Sequence, residues 1–208
     1  MRLWSDSFPS NSPIPEEFAF CKYHPENHVE FSSNRNPHLA WSDLPDGTGS
    51  LVLICHDSDV PSQPHDVNQE GRTVPASLPR LDFYHWVLVD LKPEINSIEA
   101  GQFSNSVTPG GKQDLRASLD TRQGINNYRE WFATDAQMSG DYFGYDGPCP
   151  PWNDEIVHHY YFTLYAIDLE YCPVEGKFTA PEVLQAIEGH ILNKTSLMGK
   201  YAINPNAC

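Results

Sequence analysis

Asp146-Gly-Pro-Cys-Pro-Pro-Trp-Asn-Asp-Glu-Ile-Val-His-His-Tyr-Tyr-Phe-Thr-Leu-Tyr165 is the stretch that decides how this chain is read. Its first third is stiff. Proline fixes φ, and glycine lets another backbone come close, so the segment predicts a rigid rim. The rim runs into two adjacent histidines, His158 and His159. These open an apolar, aromatic run over Val157–Asp168, which predicts the longest strand of a sandwich core. Histidines carried by a strand beside such a rim are placed to hydrogen-bond something small.

Working outward, Ser50-Leu-Val-Leu-Ile-Cys-His56 is short, apolar and partly β-branched, and predicts a strand buried on both faces. Asp57-Ser-Asp59-Val-Pro61 follows it, and Phe83–Leu91 is the next strand. The polar segment 62–82 between them is a long loop, of the kind that is functional or an interface element. Residues 1–50 give short strand-like pieces such as Val29–Phe31 and Leu39–Trp41, and Asn126–Phe132 reads as one short helix. Thr179-Ala-Pro-Glu182 has the form of a capping box with proline in the first turn. Val183, Leu184, Ile187, Ile191 and Leu192 then recur at helical spacing, predicting a C-terminal helix near 180–193, with a last short strand over Lys200–Ile203. No linker or repeat divides the chain. The expectation is one domain, 1–208: a mostly β sandwich of two antiparallel-rich sheets with a few peripheral helices.

Composition narrows the function. The 208 residues carry 13 basic and 28 acidic side chains, a net charge of −15. Such a surface repels nucleic acid and anionic membranes, so neither is an expected partner. No segment reaches the ~18 consecutive apolar residues of a membrane span, and the N-terminal residues show no secretory h-region, which sets cytoplasmic as the expected location. The five cysteines, Cys21, Cys55, Cys149, Cys172 and Cys208, are odd in number and form no Cys-x-x-Cys. This argues against a disulfide framework and a structural zinc site, and leaves Cys149 as a free thiol in the rim loop.

The chemistry is read by elimination. His56, Asp57, Asp59, His65 and His85 lie close in sequence, but strand alternation separates His56 from Asp57, and no zinc motif occurs. His24 and His28 have helical spacing with Pro25 between them. There is no nucleophile elbow and no phosphate-binding glycine loop, so no metal and no cofactor is expected. What remains is a small anion site. His85 and His158 each begin an apolar strand, while Asp57 and Asp59 end a third. A carboxylate can fix a histidine tautomer or raise its pKa so that the ring donates to a phosphate oxygen. Taken singly, each of these residues is better read as a turn former or a satisfied core histidine; three such clusters together point to one pocket.

These residues carry a resemblance. Asp57-Ser-Asp59-Val-Pro61 looks like the Asp-Pro-Asp-x-Pro motif of the phosphatidylethanolamine-binding protein family, with Ser58 where proline is usual. His158 matches the histidine of that family's Gly-x-His-Arg motif, with His159 in place of the arginine. Gly147-Pro148-Cys-Pro150-Pro151 is similar to its Gly-Pro-rich rim, and His85 falls at its pocket histidine. Segments 66–75 and 140–147 resemble the prokaryotic, Raf-kinase-inhibitor-like branch, and the likeness runs from about Ser32 to Tyr201. The resemblance implies a two-sheet β-sandwich whose anion pocket is lined or shaped by Asp57, Asp59, Pro61, His85, Gly147, Pro148, Pro150, His158 and Tyr160. It implies phosphate, a phosphorylated head group or a small carboxylate as ligand, and a homodimer with loop 62–82 as an interface element. The expected function is a non-catalytic, regulatory or inhibitor-type binding module. The alternative is a small hydrolase or lyase using His85 or His158 with Asp57. A third reading is a kinase or protease inhibitor docking through loop 141–156, where Tyr142, Phe143, Tyr145 and Trp152 either anchor a partner or pack beneath the loop.

Overall fold

The computed structural model describes residues 1–208. Its strands, in chain order, are β1 (Arg2–Trp4), β2 (Ser12–Pro13), β3 (Cys21–His24), β4 (His28–Phe31), β5 (Leu39–Ser42) and β6 (Ser50–Pro61). They continue as β7 (Arg80–Leu91), β8 (Ser97–Ile98), β9 (Arg116–Ala117), β10 (Thr121–Gln123), β11 (His158–Ile167) and β12 (Ile191–Tyr201). Two short helices are added, α1 (Tyr128–Trp131) and α2 (Ala180–Ala186). The main sheet has seven strands in the order β2-β12-β11-β6-β7-β10-β9, faced by a three-stranded sheet β1-β5-β8. All pairings in these two sheets are antiparallel except β12 with β2. A separate hairpin, β3-β4, stands beside them.

Alternation along the central strands sorts their side chains into two cores. Leu51, Leu53 and Cys55 of β6 join Trp86, Leu88, Phe162 and Leu164, and meet Leu39, Trp41 and Ile98 of the small sheet. On the other face, Val52 and Ile54 join Val87 and Val89 beneath Val183 and Ile187 of the α2 segment. The expected sandwich with peripheral helices is therefore the fold.

Several boundaries differ from those expected. β6 and β7 have 12 residues each, two more than β11, and β6 runs on through Asp57 and Asp59 to Pro61. The C-terminal helix stops at Ala186, and Ile191 and Leu192 begin β12 instead. Gly189, at φ +84°, lies between helix and strand and turns the chain there. The capping box at Thr179 and Glu182 is present, with the Thr179 N–H donating to the Glu182 carboxylate. His24 and His28, separated by Pro25, pair across the β3-β4 hairpin. Cys149 is not a free thiol: it forms a disulfide with Cys21, 128 residues earlier. The pairing was hidden because an odd total and a wide spacing say nothing about which two cysteines the fold brings together.

Candidate functional site

β6, β7 and β11 are neighbours in the main sheet, and their polar residues gather at one end of it. The register sets Tyr160 opposite Asp57, and Asp57 opposite Phe83. A bulge between Cys55 and His56 accommodates His85, which turns to the same face as Asp57. The rim loop closes one side of the space so formed. Gly147 is required there, because a Cβ would run into the Phe18 carbonyl oxygen. The result is a cavity of about 60 Å³. One water needs only about 10–15 Å³, so there is room for a few waters or one small oxyanion.

Six of the nine residues expected at the site line this cavity: Asp57, Pro61, His85, Pro150, His158 and Tyr160. The other three stand behind it. Asp59 turns to His159, accepting from its backbone N–H at 2.8 Å and meeting its Nδ1 at 2.8 Å. The Gly147 N–H donates to Asn34 Oδ1, and its carbonyl accepts from the Tyr128 hydroxyl. The Pro148 carbonyl accepts from the N–H groups of Phe20 and Cys21. The long loop contributes Pro64, Val67 and Asn68 to the wall, and Phe83, Tyr128, Trp131 and Cys149 complete much of the remainder.

The two pocket histidines are in opposite states. His158 is fully buried, with Nδ1 2.7 Å from Asp57 Oδ2 and Nε2 3.1 Å from Asp154 Oδ2. Burial alone would lower its pKa. The Asp57 charge and the hydrogen bonds to both carboxylates outweigh that and raise it to about 9. His158 is thus an imidazolium with both N–H groups spent inside the protein. Asp154 also takes a two-pronged bond from Arg80, at 2.6 and 3.0 Å. Burial pushes its pKa up, but the bonds from His158 and Arg80 prevail and lower it. Two carboxylates face two cations, and the cluster is neutral overall.

His85 is buried without such a partner. Its Nδ1 lies 2.7 Å from the Asp146 carbonyl oxygen, so Nδ1 carries the proton and donates. Nε2, with no protein partner, keeps a free lone pair. Burial pulls the His85 pKa down, against the opposing charge of Asp57. Asp146 is itself fastened from behind by Asn34, Asn126 and Lys112, at 2.8, 2.8 and 2.9 Å. Beside His85, the Tyr160 hydroxyl is buried next to Asp57, close enough to interact with its carboxylate but not aligned for a regular hydrogen bond. Burial, then the nearby Asp57 charge, holds its proton on well above the ordinary range.

Sequence reasoning missed Asp154 and Arg80. The signal for Asp154 was in the quoted stretch, four residues before His158, but a turn-forming aspartate in a Gly-Pro loop does not announce an ion pair. Of the loop aromatics weighed as partner anchors, Tyr142, Phe143 and Tyr145 are buried in the core, and Trp152 is stacked under His28 with ring centres 4.1 Å apart.

Fold and site together define a β-sandwich with a small pocket at the edge of its central strands, mostly apolar in its walls and carrying a few polar groups. The model of the phosphatidylethanolamine-binding protein family matches residues 4–202. The chain belongs to that family. It is 30% identical over 201 residues to a UPF0098 protein of Chlamydia muridarum, with 97% of this chain and 98% of that one covered. It is 27% identical over 204 residues to the UPF0098 protein YbhB of Escherichia coli, covering 97% and 100%. Among solved structures it is similar to a phosphatidylethanolamine-binding protein homologue from Chlamydia trachomatis, at TM-score 0.64 and 27% identity, covering 96% of this chain and 95% of the other. No helix is long and apolar enough to cross a membrane.

Proposed function

We propose that this protein binds a small oxyanion, a phosphate or a phosphorylated head group, in the cavity between His85 and Tyr160, as a binding module without catalysis. The observation that carries the reading is His85 Nε2, to which the protein gives no hydrogen-bond partner, set in one small wall with the Tyr160 hydroxyl, whose one near partner is Asp57. Buried polar groups are otherwise almost always satisfied, so a ring nitrogen left open beside a cavity supports a ligand there. Tyr160 supplies one donor. His85 supplies a second once a proton reaches Nε2. His158 shapes the site without touching the anion, because both its nitrogens are taken. For the same reason it has no lone pair to act as a base, which removes it from the hydrolase or lyase alternative. A homodimer remains part of this reading through the family resemblance alone.

Calorimetric titration of inorganic phosphate and O-phosphorylethanolamine at pH 6.5 tests it. Saturable binding is expected, weakened about tenfold or more in Tyr160→Phe and abolished in His85→Ala, with both variants folded by thermal melting. Equal binding by all three proteins, or none by the wild type, would remove the proposal.

A further inference from the structure

We infer that the Cys21–Cys149 disulfide is a reducible latch on the cavity wall, which a small dithiol or a dithiol protein opens; this rests on the binding reading above. Cys149 and Pro150 both line the cavity. Neither donates nor accepts a single hydrogen bond, whereas the residues on either side are well anchored. Before them, the Pro148 carbonyl holds the N–H groups of Phe20 and Cys21. After them, the Pro151 carbonyl accepts from Asp154, and the Trp152 N–H donates to Asn68 Oδ1. Pro150 has no N–H to offer. Apart from packing, the disulfide is the one tie between this piece of wall and β3. The bridge therefore sits where its loss changes the cavity and leaves the sheets in place.

The two sulfurs are unequally open to attack. Cys149 is half-buried at the cavity, while Cys21 is buried under the hairpin. A thiolate of the dithiol attacks Sγ of Cys149, the S–S bond breaks, and its electron pair leaves on Sγ of Cys21. The reagent's second thiol then attacks its own sulfur in the mixed disulfide and releases Cys149. The dithiol ends as a disulfide, oxidised by two electrons, and its two protons pass to Cys21 and Cys149. A reducing compartment would hold the wall open and an oxidising one would hold it shut.

The test is hydrogen exchange on peptides covering residues 17–24 and 145–153, with and without dithiothreitol, joined to phosphate titration of both forms. Reduction is expected to speed exchange in those peptides at least tenfold, leave β6, β7 and β11 protected, and weaken phosphate binding at least tenfold. Reoxidation should reverse both effects. The double variant Cys21→Ser/Cys149→Ser should match the reduced protein with or without reductant. Unchanged exchange on reduction overturns the latch, and so does faster exchange with equal phosphate affinity. If the oxidised protein binds no phosphate, the anion reading falls, and the latch stands or falls on the exchange result.

Discussion

His158 and Asp57 face each other across β11 and β6, with Nδ1 2.7 Å from Oδ2 and neither side chain open to water. Such a pair gains from Coulomb attraction only what remains after two desolvation costs, so its presence is weak evidence for net stability. Losing one member is another matter, since the other is left charged and buried.

Asp57→Ala is therefore expected to destabilise the protein by about 3–5 kcal/mol, a fall in Tm of roughly 6–20 °C. Asp57 also caps the Asp59 N–H through Oδ1 at 2.8 Å, so the substitution loosens the end of β6 as well. Thermal melts of wild type and variant decide it. A shift under ~2 °C would mean that Asp154 alone satisfies the imidazolium.

The same cluster sets a pH profile. The His158 pKa is raised from 6.5 to about 9 in the folded protein. Its contribution is fully present below the unfolded value, shrinks as pH rises, and is gone above about 9, amounting to on the order of 3 kcal/mol. His85 and His56 have lowered pKa values, both chiefly from burial, and act in the opposite sense. The unfolded chain takes up their protons first, so they cost stability as pH falls below the ordinary histidine value. Stability is expected to peak near pH 6.5 and fall on both sides. Urea unfolding from pH 5 to 9.5 measures this, and Asp57→Ala should flatten the alkaline limb.

The pocket was more legible in the sequence than the elements around it, for a physical reason. Asp57, His85 and His158 interrupt apolar strands, where a polar side chain has to be satisfied or used, so their positions carry information. Helical spacing did not discriminate as well. Val183 and Ile187 do pack under α2, but Ile191 and Leu192 fit the same period and lie on β12, 40% and 41% exposed. Gly189 between them was the better guide, because a left-handed residue ends a helix whatever the apolar pattern beyond it. The Cys21–Cys149 bridge and the Arg80–Asp154 fork join residues 128 and 74 positions apart, and pairings of that kind exist only once the sheets have assembled.

Anion binding should be linked to proton uptake. Because the Asp146 carbonyl holds the proton of His85 on Nδ1, Nε2 faces an anion with a lone pair unless a second proton arrives. That proton comes from solvent or on the phosphate itself, and a bound anion stabilises the imidazolium that burial disfavours. Between pH 6.5 and 8 phosphate should bind more weakly as pH rises. Titrations at pH 7 in buffers of different ionisation heat should show net proton uptake from the buffer on binding. Affinity independent of pH would mean that His85 does not meet the anion.

Asn153 makes the last prediction, because it ties the long loop to the rim. Its Nδ2 donates to the carbonyls of Asp66, Gln69 and Arg72, and its Oδ1 accepts from the Asn68 N–H. One buried amide thus gathers the turn that brings Val67 and Asn68 to the cavity. Asn153→Ala removes all four bonds and is expected to cost about 1–3 kcal/mol. Asn153→Asp keeps the acceptor but sets a carboxylate against three carbonyl oxygens, and should be at least as damaging. In both variants exchange should quicken over residues 64–74 while the central strands stay protected. Phosphate affinity should fall with it, since the loop is one wall of the site. Faster loop exchange with undiminished affinity would show that the anion rests on the strand residues alone.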